Sequence, residues 1–277
     1  MKTRRIVSLL AMTGWIALGQ QASAVTNFYA SYNNNLNLDI GASPVPSSSD
    51  GLITIVPGFA VRGVAGNAAH FSGNTSWVNY ASSGTYVPDF GIATVGSNTF
   101  RMLFKPDFSG NPTAFRANFL GIGGLGFGDG IFLAHSDAGF PAFRVTINTV
   151  FKDNVLSGFS WDANTWYYLG ASLDASGSLL YVRALTNGAL PNVSTLSFGT
   201  STNWSGLFGF NSTPLRVSGR YDVNTEGARG TLDDIFILNG EKWNVSDFNH
   251  DFAVIIPEPS GALLVLGALL ALWRLRK

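Results

Sequence analysis

From Val25 to Phe252 the apolar positions recur in short runs with a period of two and almost nowhere with the 3.6-residue period of a helix. Phe100, Met102 and Phe104 alternate with Arg101, Leu103 and Lys105, and Phe143, Val145 and Ile147 alternate with Arg144 and Thr146. Such alternation predicts strands that bury one face and wet the other. Trp166 to Leu173 and Leu179 to Leu185 read as two strands joined through Asp174-Ala175-Ser176-Gly177, residue types that suit a hairpin turn, so the two are expected to pair. Ala42 to Asp50, with two prolines and three consecutive serines, predicts a surface loop within one domain. Gly121 to Gly128 is glycine-rich, yet no Lys-Ser/Thr follows and no helix opens after it, so it predicts a loop or a glycine-softened strand and no phosphate cradle. The one helical candidate in the body is Asn244 to Asp251.

The two ends differ from this pattern. Lys2, Arg4 and Arg5 precede an apolar stretch from Ile6 to Leu18, and Ala22-Ser23-Ala24 supplies small residues at a cleavage site, which predicts a signal peptide over 1–24 removed by signal peptidase. At the other end Pro257-Glu258-Pro259 leads into an apolar run from Gly261 to Trp273, closed by Arg274, Arg276 and Lys277. As a helix these thirteen residues reach about 20 Å, short of a hydrocarbon core of roughly 30 Å. The basic end is expected in the cytoplasm, with the body outside. The two prolines keep the junction extended, as a protease substrate should be. The chain therefore divides into 1–24, a body over 25–255 and a sorting segment over 256–277.

Composition narrows the body further. Of the 17 Lys+Arg, three precede Val25 and three follow Trp273, leaving 11; of the 17 Asp+Glu, only Glu258 lies in the tail, leaving 16, so the body carries about −5. With no Lys/Arg cluster between Val25 and Ile256, nucleic acid is excluded as a partner. Cysteine is absent, so disulfides and thiolate metal sites are excluded and stability after export rests on a packed core.

Four segments in order, Gly63 to Gly73, Thr99 to Pro106, Asn164 to Tyr168 and Gly230 to Leu238, resemble the LamG-like jelly-roll domains of the concanavalin A-like superfamily. Gly63-Val64-Ala65-Gly66-Asn67-Ala68-Ala69-His70-Phe71-Ser72-Gly73 is similar to that family's entry motif, and Thr99 to Pro106 to its central strand ending in Lys-Pro, with Phe104 where the family often carries Trp. Asn164-Thr165-Trp166-Tyr167-Tyr168 and Gly230 to Leu238 resemble its later strands. The resemblance implies an all-β fold, an antiparallel jelly-roll β-sandwich. The tail resembles the PEP-CTERM sorting signal, which implies one short C-terminal transmembrane helix processed by an exosortase-type membrane protease, with Pro257, Glu258, Pro259, Arg274, Arg276 and Lys277 as its signal residues.

Residues for chemistry are sparse. Glycoside hydrolysis uses a pair of carboxylates, whereas the body holds only Glu226 and Glu241 as glutamates, neither in the Glu-x-Asp-x-x-Glu pattern of similar sandwich glucanases. Asp233 and Asp234 are adjacent on an apparent strand, so their side chains should leave it on opposite faces, one accepting hydrogen bonds from a turn and the other facing water. The alternative is a structural Ca²⁺ held by oxygens from Asp233 or Asp234, with Asp222, Asn224 and Glu226 alternating before Gly227 as further ligands. His70, His135 and His250 have no spacing for zinc or nucleophilic catalysis, and His70 reads as an outward strand residue. Trp161 and Trp204 have polar, loop-like neighbours and are candidates to stack on a sugar ring. Together these features predict an exported, non-enzymatic surface or extracellular-matrix protein with a structural or adhesive role. The alternative is a carbohydrate-binding module for exopolysaccharide, and a polysaccharide-degrading enzyme comes last.

Overall fold

The computed structural model describes residues 25–33, 35–37, 39, 45–46, 48–49, 52–61, 65–80, 97–113, 117–123, 130–147, 150–186, 188–199, 215–219 and 226–256. The signal-peptide segment and every residue named above for the sorting signal lie outside them, as do Trp204, Asp222 and Asn224. In chain order the strands are β1 (Val25–Ala30), β2 (Ser48–Ser49), β3 (Ile53–Pro57), β4 (Asn67–Phe71), β5 (Val78–Tyr80), β6 (Asn98–Pro106), β7 (Ala117–Gly123) and β8 (Gly130–His135). They continue with β9 (Pro141–Ile147), β10 (Val150–Val155), β11 (Tyr167–Asp174), β12 (Gly177–Ala184), β13 (Asn192–Ser197), β14 (Leu215–Val217) and β15 (Gly230–Asn239), before one helix, α1 (Val245–Ile255).

Every described pairing is antiparallel, and the strands form two sheets packed as a sandwich. The first runs β13-β12-β11-β6-β15-β4-β3, with β1 as an eighth strand on β15; the second runs β10-β9-β8-β7-β14-β5-β2. The period-two positions meet between the sheets, where Phe104 packs on Phe119 at 4.4 Å between ring centroids and Phe100 on Phe143 at 5.7 Å. The expected β11–β12 hairpin forms, because Asp174 Oδ1 accepts from the N–H groups of Ser176 (2.8 Å) and Gly177 (3.2 Å) and closes the turn.

The first sheet departs from the expected wet outer face. Phe100, Met102 and Phe104 point into the sandwich, but Arg101 and Leu103 on the opposite face of β6 are buried as well. Their cover is α1, which lays Phe248, Phe252 and Ile255 over Leu103, Tyr168, Leu179 and Tyr181 as a second apolar core. Gly170 makes this approach possible, since a Cβ there would stand 2.5 Å from a Phe248 ring carbon. The helix starts where the sequence places it: the Asn244 side chain accepts from the Ser246 and Asp247 N–H groups while Asp247 Oδ2 accepts from Asn244 N–H, a reciprocal cap. Among the described residues no helix is long and apolar enough to cross a membrane.

Candidate functional site

Strand β15 is long enough to serve two partners along one edge. Its first part, Gly230 to Leu232, pairs with β4, and its last part, from Ile235 onward, pairs with β1. Between them Asp233 and Asp234 have no partner on that edge, and the register against β6 on the other edge shifts between Asp233 and Phe236. Asp234 takes a left-handed backbone (φ 49°), which a local irregularity imposes on a non-glycine residue. The regular alternation expected for this pair is therefore broken. Neither aspartate faces open water, each being only 3 % exposed, and both line one cleft of about 760 Å³ that opens where β1 and β4 part.

The floor of the cleft is acidic and its walls are mixed. Asp233 Oδ2 accepts a 3.3 Å hydrogen bond from Phe59 N–H, which fulfils the expected acceptor role toward a loop, and Gly58 permits the approach because a Cβ on it would stand 2.5 Å from that oxygen. Burial, reinforced by the neighbouring charge of Asp234, pushes the Asp233 carboxyl up to about 7. Asp234 is neutralised by Arg101, whose guanidinium donates to its carboxylate and, at 3.1 Å, to its main-chain oxygen. Burial by itself lowers the pKa of Arg101, but Asp234 and then Asp251 of α1, 3.3 Å from Nε, raise it above its ordinary value and keep the guanidinium charged. Burial and then Asp234, which accepts a hydrogen bond from its hydroxyl, raise the pKa of Tyr29. On the rim, Asn33 Oδ1 accepts from Asn67 N–H (3.1 Å) and Asn33 Nδ2 donates to Ser31 Oγ (2.9 Å), while Phe59 supplies an aromatic wall.

Chemically this is a pocket of acceptors and donors beside an aromatic ring, with one carboxyl that changes charge near neutrality and one paired with a guanidinium. It suits a ligand rich in hydroxyl or amine groups. Asp234 is tied to a guanidinium, so the two do not form a free acid and nucleophile pair.

The other sequence candidates fall elsewhere. Glu226 Oε2 accepts from Asn118 Nδ2 at 2.7 Å and takes no part in lining the cleft. Among the described residues no group of three His, Cys, Asp or Glu side chains is placed to hold a metal ion. Trp161 corrects the expectation of an exposed stacking face: it is 2 % exposed, donates from Nε1 to Gly139 O at 2.8 Å, and packs edge-on against Phe104, Phe119, Phe159 and Tyr167. Its polar neighbours Ser160 and Asp162 misled because only they reach solvent. His70 is outward on β4 as expected, with Nδ1 3.2 Å from Thr231 Oγ1 and Nε2 3.6 Å from Asp107 Oδ2. Thr231 and His70 are cross-strand neighbours, which accounts for their contact as a strand pair. Tyr29, Asn33, Phe59 and Asn67 were not singled out by sequence. The tight glycines Gly58 and Gly66 beside Phe59 and Asn67 were the available signal, a Cβ at Gly66 coming within 2.5 Å of Asn33 Oδ1.

Among the described residues the fold is a β-sandwich with a ligand-sized cleft in a divided sheet. No family model matches the sequence, and no curated protein matches it. Solved structures share the sandwich at low identity. The enzymatically active domain of bacteriophage CBA120 tailspike protein 2 is similar with a TM-score of 0.50 and 13 % identity, covering 79 % of this chain and 32 % of that one. The binding domain of botulinum neurotoxin serotype D/C is similar with a TM-score of 0.50 and 12 % identity, covering 83 % of this chain and 52 % of that one. The chain thus spans about a third to a half of these solved chains, and the likeness is one of fold.

Proposed function

We propose that this chain is an exported bacterial β-sandwich, delivered through its C-terminal sorting signal, with a non-enzymatic structural or adhesive role at the cell surface or in the extracellular matrix. The observation that carries this reading is the sequence of the tail, Pro257-Glu258-Pro259 followed by an apolar run and a basic end, which begins two residues beyond Ile255, the last residue of a helix docked on the sandwich. A body that ends as a finished fold immediately before a removable segment suits release after sorting. Mass spectrometry of the mature protein from its own cells tests this: a C-terminus near the Pro-Glu-Pro motif is expected, and an intact Lys277 would sink the sorting reading.

A second reading, exopolysaccharide binding, is favoured by the cleft, whose carboxylates, Asn33, Asn67 and Phe59 combine hydrogen-bonding groups with an aromatic wall. On a glycan array the exported protein should bind hydroxyl- or amine-rich glycans with or without Ca²⁺, and Asn33→Ala with Phe59→Ala should abolish the signal. An array without any binding counts against it. Turnover of a polysaccharide lost on Glu226→Gln, Glu241→Gln or Asp233→Asn would overturn the non-enzymatic role.

A further inference from the structure

Strand β3 closes one end of the first sheet and is hydrogen-bonded on one side, by β4. Its register, Ile53 opposite Phe71 through Pro57 opposite Asn67, runs without a shift and continues to Gly58, whose N–H donates to Gly66 O at 3.0 Å. Bonded and non-bonded pairs alternate along an antiparallel ladder. The Gly58–Gly66 bond therefore assigns Val56 and Thr54 to the inward hydrogen bonds and turns the N–H and C=O groups of Ile53 and Ile55 outward. Pro57 has the same outward parity, the place where a proline removes no ladder donor. Among the described residues nothing bonds to the outward groups of Ile53 or Ile55.

The side chains do nothing to guard this edge. Leu52 and Ile55 are 52 % and 38 % exposed. No charged residue stands between Leu52 and Val61. Natural edge strands are usually blunted by a charge, a bulge or a cover, and β3 has none of these among the described residues.

We propose that β3 is a self-pairing edge: two copies of this chain join β3 to β3, antiparallel, with Thr54 opposite Thr54 across a two-fold axis. In that register Ile53 of each copy exchanges both of its outward groups with Ile55 of the other, which forms four hydrogen bonds and leaves no outward group unpaired between them. Thr54 meets itself in a non-hydrogen-bonded pair, a favourable cross-strand match. A second copy is the fitting occupant because its β3 brings only uncharged, β-branched side chains against Leu52 and Ile55. The pairing is two-fold and uses up the outward groups of both β3 strands, so the association through this edge closes as a dimer. This surface stands independently of the sorting and glycan readings.

The chain has no cysteine, so one can be introduced alone. In a non-hydrogen-bonded antiparallel pair the Cα atoms lie about 4.5 Å apart, within disulfide range. Under mild oxidation the full chain carrying Thr54→Cys, in gentle detergent, should form a covalent dimer about tenfold faster than the chain carrying Asn164→Cys, an exposed position outside the strands. Adding Ile55→Lys to Thr54→Cys should remove that advantage. Equal rates at the two positions, or a rate unchanged by Ile55→Lys, would overturn the proposal. Sedimentation of the unmodified chain gives an arm that requires no variant: a dimer is expected, and a monomer at the highest attainable concentration overturns it.

Discussion

The two ends of the eight-stranded sheet are finished in opposite ways. At the β13 end, Asn154 reaches across from β10 of the other sheet and donates to Ser194 O (3.1 Å), Ser178 O (3.2 Å) and Ser178 Oγ (3.3 Å), while α1 covers the outer face of β11 and β12 nearby. At the β3 end the sheet is divided at Asp233 and Asp234, holds a cleft, and stops at a bare, uncharged strand. One end is tied to the second sheet and to a helix by side chains. The other holds two buried carboxylates beside an open cleft.

The comparison can be broken most severely on the covered side. Phe248→Ala removes the ring that fills the space over Gly170 between Tyr168 and Tyr181, and should cost about 3–5 kcal/mol in denaturant unfolding. A loss below about 1 kcal/mol would mean that α1 rests on the sheet without locking it. Asp251→Ala comes next: it removes the acceptor of the 2.8 Å Tyr168 hydroxyl bond and one of the two carboxylates facing Arg101. About 3 kcal/mol is expected, since Arg101 keeps Asp234 but Tyr168 loses its partner. Tyr168→Phe should relieve part of that loss in a double-mutant cycle, and strict additivity would show that the two groups do not interact.

The same contrast explains what could be read in the sequence. Strands β6 and β9, the β11–β12 hairpin and the start of α1 rest on local rules of alternation, turn residues and capping, and each falls where those rules place it. The buried outer face of β6 was not legible, because Arg101 and Leu103 look like solvent-side residues until a helix more than a hundred residues later folds onto them. The cleft was half legible. Asp233 and Asp234 stood out as a pair, but the change of partner that separates them from a regular strand depends on β1 and β4, which lie far away in the chain. Tyr29, Asn33, Phe59 and Asn67 come from three separate segments and carry no common motif. Trp161 failed for the converse reason: its neighbours were read correctly as exposed, and that said nothing about where its own ring points.

On the divided side the expected effect is smaller and depends on pH. Asp233 has its carboxyl raised to about 7 by burial and by Asp234, whereas the unfolded chain releases that proton near the ordinary carboxylate value of about 4. Between those values the folded state holds a proton that the unfolded state has lost, so the contribution is complete below about pH 4, declines as pH rises through about 7 and is gone above it. Asp234 faces the group from β15 and Tyr32 from the segment after β1, and Arg101 from β6 partly offsets the charge of Asp234. Urea midpoints at pH 5 and pH 8 should therefore differ by about 2 kcal/mol more in the natural chain than in Asp233→Asn, with water entering the cleft keeping the value below the full conversion. The same drift in both chains would show that Asp233 titrates normally.

The smallest change probes the closed end itself. Asn154→Ala removes the Nδ2 donor that joins β10 to Ser194 O and Ser178 O, and because both oxygens keep their ladder bonds between β12 and β13, the loss should be about 1 kcal/mol in denaturant unfolding. The Phe198 N–H bond to Ser176 O (3.1 Å) fixes the parity of that ladder and turns Ser194 inward, so the change leaves both sheet edges as they are and the rate of disulfide formation through Thr54→Cys should not move. A loss above about 3 kcal/mol would show instead that Asn154 locks the two sheets together at this end.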